Sequence, residues 1–106
     1  MPSPLATTRP AEPYAGEKER LAAAVEDARD EILDLSHRIH ANPEPAFEEH
    51  RAAAWVAEIL ARHGYAVEQP AGRLATAIRA TRRGGRRGDG PRIGILAEYD
   101  ALPGLG

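Results

Sequence analysis

Ile93-Gly94-Ile95-Leu96-Ala97 runs straight into Glu98-Tyr99-Asp100-Ala101-Leu102-Pro103-Gly104-Leu105-Gly106, and the reading of this stretch decides the fold. A run that is apolar along its whole length, with no polar alternation, reads as a strand over residues 92–97 buried on both faces of an α/β sheet. Two carboxylates follow where this strand hands over to a Pro/Gly loop. Open α/β sheets place their ligands there, beyond the carboxyl ends of strands. Glu98 and Asp100 are two residues apart, so an extended backbone points them the same way and turns Tyr99 towards packing. Same-side carboxylates can bind a cation, orient a histidine or act as general acid and base. The competing reading is an exposed strand end, since Asp and Glu are usually solvated. The residues alone leave both open.

Working outward, residues 81–90 form an Arg/Gly-rich loop containing Arg82, Arg83, Arg86 and Arg87. Such a segment could track a phosphate backbone, but it carries no aromatic residue for base stacking, and a solvated hairpin loop is the simpler reading. Strands are expected at residues 65–68 and 74–80, the latter pairing with 92–97 as an antiparallel hairpin across the loop. A helix is expected over residues 47–63, with Ala54, Trp55, Ile59 and Leu60 facing inward and Gly64 in the left-handed position that closes many helices. Before it, Leu21, Val25, Ala28, Ile32, Leu35 and Ile39 form one stripe of a helix over residues 17–41, which Pro43 and Pro45 stop. Residues 1–16, rich in proline, are expected to be a disordered tail. The sum is an α/β fold: an N-terminal helical hairpin followed by the first strands of a mixed sheet.

The chain has 106 residues, 42% of them hydrophobic, and nearly half of that fraction is alanine, so its core is thin. Sixteen acidic against 14 basic residues leave a net charge of -2, which favours neither nucleic acid nor an acidic membrane. The absence of cysteine excludes disulfides and thiolate ligands within these residues. No signal peptide and no membrane span are legible, so a cytoplasmic protein is expected. His37 and His40, three apart, could be metal ligands with Glu44 as a third. They could equally serve the helix C-terminus. His50 and His63 read as solvent-facing.

Leu35-Ser36-His37-Arg38-Ile39-His40, then Asn42-Pro43-Glu44-Pro45-Ala46-Phe47-Glu48-Glu49, resembles the opening signature of the zinc-dependent amidohydrolase and aminoacylase metallopeptidases. Gly64-Tyr65-Ala66-Val67 resembles that family's first strand, and the block from Ile95 to Gly106 resembles the approach to its metal site. The Glu-Tyr-Asp-Ala-Leu-Pro-Gly form is nearest to the aminobenzoyl-glutamate hydrolase and dipeptidase-like branch. The resemblance implies that residues 17–106 are the N-terminal part of a phosphorylase/hydrolase-like α/β catalytic domain, truncated before its metal ligands, which are expected beyond Gly106. It implies zinc or another divalent metal in a full-length parent, none for this chain alone, and an N-acyl amino acid or small dipeptide as substrate. A homodimeric parent with no nucleic-acid or membrane partner is also implied. Asp100 aligns with the aspartate that orients a metal-bound histidine in relatives. Glu98 stands where those relatives carry the histidine itself, a departure that weakens any ligand role for it. The alternative is a non-catalytic helical-hairpin interaction module.

Overall fold

The computed structural model describes residues 12–85 and 90–105, and the chain divides into two compact units, Met1–Leu33 and Asp34–Gly106. Residues 1–11 of the expected tail lie outside the described residues. In the first unit, α1 spans Ala15–Asp27, and α2, Arg29–Ala41, begins within the unit and continues into the second. The single helix expected over residues 17–41 is thus divided. Ala28 has ψ -1° in place of the helical value near -42°, and the ladder resumes where the Ile32 amide donates to the Ala28 carbonyl at 3.0 Å. Along the apolar stripe Leu21, Val25 and Ile32 are each at least half exposed, while Ala28, Leu35 and Ile39 are half-buried.

The second unit is built on α3, His50–Arg62. Its most deeply buried residues are Ala52 and Ala53, with Val56, Ile59 and Leu60 half-buried on the same face. Ala54 is exposed, contrary to the expected inward set, because each helical residue rotates about 100° and 54 falls past the edge of the 52/56/59/60 stripe. The C-terminus closes as expected on Gly64, at φ 88°. The amides of Gly64 and Tyr65 donate to the carbonyls of Ala61 and Leu60, both at 3.1 Å, which are the two bonds of a Schellman motif.

This turn delivers the chain into β1, Ala66–Glu68, which packs on α3 and pairs antiparallel with β2, Arg79–Thr81. Val67 stands opposite Ala80, and both are half-buried between exposed neighbours, as a strand with one covered face requires. The strand expected at 74–80 survives only at its end. Upstream, Ala71, Leu74 and Ala77 satisfy one another's backbone groups in turns, leaving nothing to extend a ladder.

Residues 92–97 are not a strand, and the expected hairpin with 74–80 does not form. Ile93, Ile95 and Leu96 are 81%, 89% and 101% exposed. A strand buried on both faces needs neighbours to either side, and the two strands of the described residues pair with each other. The architecture is α/β: three helices and a two-stranded antiparallel sheet.

Candidate functional site

The acidic turn does return to the body of the second unit. The Ala101 amide donates to the Glu44 carbonyl at 2.8 Å, and Ala101 forms a parallel bridge with Pro45. Tyr99 makes the next tie, its hydroxyl donating to the carbonyl of Thr76. Glu98 and Asp100 are exposed while Tyr99 is partly buried, which is the alternation expected of an extended backbone. Both carboxylates border a broad open groove whose walls also include Glu49, Thr76, Leu60 and Tyr65.

Beneath the turn lies the start of α3. Its N-cap residue, Glu49, makes no side-chain cap hydrogen bond, and Glu44 supplies the cap from outside the helix. One carboxylate oxygen of Glu44 accepts from the Arg51 amide at 3.0 Å and the other from the Ala52 amide at 2.9 Å. Burial raises the pKa of this carboxyl. The two amide bonds and the charges of Arg51 and His50 outweigh burial and hold the pKa below the ordinary carboxylate value. Asn42 closes the same corner, donating to the Arg38 carbonyl at 2.9 Å and accepting from Arg51 Nη1 at 2.7 Å.

Glu49 turns the other way. Its Oε2 accepts from the hydroxyl of Thr76 at 3.0 Å, while its Oε1 is buried with no hydrogen-bond partner among the described residues. Thr76 is the one buried polar residue among the described residues, at 4% exposure. Its hydroxyl thereby serves the helix start and its carbonyl serves Tyr99. Burial, followed by the negative charges of Glu49 and Glu44, pushes the Tyr99 phenol above its ordinary pKa and keeps it a donor.

The sequence anticipates the exposure of Glu98 and Asp100 about a half-buried Tyr99 but misses the two groups beneath them. Glu44, a candidate third metal ligand by its position after His37 and His40, is instead a helix cap. A helix start lacking Ser, Thr, Asp or Asn at its cap position is the available signal. Thr76, in a turn, gives none. His37 and His40 are exposed on α2, and among the described residues no three His, Cys, Asp or Glu side chains form a group able to hold a metal ion. Of the basic loop, Arg86 and Arg87 lie outside the described residues. Arg82 is engaged, donating to the His63 carbonyl at 3.0 Å and lying 5.8 Å from the centre of the Tyr65 ring. No helix of the described residues is long and apolar enough to cross a membrane.

Three relatives place the chain among known proteins. Thermostable carboxypeptidase 2 of Saccharolobus solfataricus is 35% identical over 80% of this chain and 21% of its own length. An Xaa-Arg dipeptidase of Mus musculus is 36% identical over 92% of the chain and 26% of its own length. The hippurate hydrolase of Campylobacter jejuni is 34% identical over 73% of the chain and 19% of its own length. The class these relatives mark out is that of peptidases and amidohydrolases. Over most of its length the chain is similar to these members of the amidohydrolase family. It spans about a fifth of the first relative's length. No family model matches the chain, and no solved structure matches it.

Proposed function

We propose that residues 17–106 are the N-terminal part of the catalytic domain of a hydrolase that cleaves amide bonds in N-acyl amino acids or small dipeptides. The observation that carries this reading is the acidic turn itself. In a chain 34–36% identical to dipeptidases and amide hydrolases, two exposed carboxylates border an open groove. Asp100 is the residue assigned to the chemistry. Exposed at the end of the turn, it is free to accept a hydrogen bond from an imidazole N–H and so fix that ring's orientation. Glu98, beside it, adds negative charge to the same rim.

The family resemblance points to a divalent metal, and zinc fits the reading. Among the described residues no group of three His, Cys, Asp or Glu could hold a metal ion, and on this reading the ligands are supplied by the whole protein. A cytoplasmic, homodimeric whole protein acting on a small-molecule substrate completes the proposal.

The test is hydrolysis of N-acyl amino acids and Xaa-Arg dipeptides by the whole protein, with and without chelator. Asp100→Asn is expected to lower kcat/KM by about 10–100-fold, the usual cost of losing a carboxylate that orients a ligand imidazole. Undiminished turnover in that variant sinks the role of Asp100. Undiminished turnover after chelation sinks the metal-dependent reading.

A further inference from the structure

We infer that Tyr99 is the positioning residue of the acidic turn, latching residues 98–100 to the buried carbonyl of Thr76 so that Glu98 and Asp100 are held outward. Residues 92–98 are exposed and join no strand among the described residues, and the ties described for the turn are made at the turn itself. One is the bond from the Ala101 amide to Glu44, which fixes where the backbone re-enters the body. A single main-chain bond leaves the residues before it free to rotate, and a one-residue rotation of an extended backbone exchanges its two faces. The bond from Tyr99 to Thr76 removes that freedom, because a ring anchored on the inner side forces its two neighbours to the outer side.

The anchor is itself rigid. Thr76 is 4% exposed, and its hydroxyl is committed to Glu49 at the first turn of α3. The orientation of the two carboxylates is thereby referred, through Tyr99, Thr76 and Glu49, to the best-packed helix of the unit. A phenylalanine at 99 keeps the ring but not the latch.

The use of the pair in hydrolysis rests on the function proposed above, whereas the latch is measured without catalysis in the 106-residue chain. In the wild type, NMR is expected to show a Tyr99 hydroxyl proton with cross-relaxation to Thr76. Tyr65→Phe leaves this signature in place and Tyr99→Phe abolishes it. In Tyr99→Phe, exchange of the Ala101 amide, which is bonded to Glu44, is expected to rise at least threefold, the loss of one hydrogen bond of ordinary net strength. Amides from Ala53 to Ile59 should exchange at the wild-type rate. Absence of the wild-type cross-relaxation overturns the latch, whether or not the variant folds. Exchange at Ala101 within the wild-type range in a folded Tyr99→Phe also overturns it. An intact latch together with a fully active Asp100→Asn whole protein refutes the role assigned to Asp100 and leaves the latch standing.

Discussion

Glu44 and Ala101 are joined backbone to backbone by a 2.8 Å hydrogen bond, while the side chain of the same Glu44 caps α3. One residue between two prolines therefore holds both the start of the principal helix and the return of the acidic turn. The flanking Pro43 and Pro45 restrict the backbone on either side, so the carboxylate is presented to the Arg51 and Ala52 amides with little entropy left to lose.

Removing that carboxylate should be costly. Glu44→Ala leaves the amides of Arg51 and Ala52 without an acceptor, and Ala52 is 1% exposed. A loss of about 1–2 kcal/mol is expected from the range measured for helix caps. A shift in the urea midpoint of the chain measures it, and a midpoint equal to the wild type contradicts the capping role.

Acid should act through the same residue. The carboxyl of Glu44 titrates below its ordinary value of 4.5 in the folded chain, so the unfolded chain takes up the proton first. Its stabilisation is complete above the ordinary value and disappears as pH falls through the lower, folded one. Urea midpoints recorded downward from neutral pH should stay level to about 4.5 and then decline. In Glu44→Gln that part of the decline should be missing.

The left-handed turn after α3 is a second weak point. At φ 88°, Gly64 has room for a methyl group, the nearest atom to a built Cβ being Arg82 Cζ at 4.0 Å. The cost of Gly64→Ala is thus backbone strain alone, about 1–2 kcal/mol. Thermal unfolding followed by circular dichroism should show the loss, with Gly64→Asn falling between alanine and wild type.

Arg38 lies over the Trp55 ring, 5.1 Å from its centre, and pairs with Asp34 at 2.9 Å. Asp34 is well exposed, so Asp34→Asn should change stability by less than about 1 kcal/mol. Arg38→Ala also uncovers the indole and should cost about 0.5–1 kcal/mol more. A red shift of the fluorescence of Trp55, the chain's single tryptophan, should accompany Arg38→Ala and be absent from Asp34→Asn.

Ile95 and Leu96 should behave as surface residues for stability and as sticky ones for association. With both nearly or fully exposed, Ile95→Lys together with Leu96→Asp is expected to leave the urea midpoint within about 0.5 kcal/mol of wild type. The same double substitution should lower binding of an apolar dye and slow aggregation, because an exposed apolar segment with free backbone groups invites pairing. A large loss of stability would mean that the segment is packed after all.

How much of the site is legible follows from which interactions are local. The exposure of Glu98 and Asp100 about a partly buried Tyr99 needs only the two-residue period of extended backbone. The cap from Glu44 and the network through Thr76 and Glu49 join residues up to 27 apart in sequence, and no periodicity encodes them. The 92–97 segment shows the converse. Its composition states a requirement for burial, but composition cannot supply the neighbours that would satisfy it.

The stops of α2 and α3 are legible locally, because Pro43, Pro45 and Gly64 act through their own dihedral angles, whereas the break at Ala28 and the start of α3 at His50 are not. By itself the sequence also determined the alternation of the acidic turn and the family resemblance. Only the tertiary structure decided which strands pair, which alanines form the core and what carries the α3 cap. Those choices depend on which unsatisfied backbone and carboxylate groups meet in space, and separation along the chain does not record that.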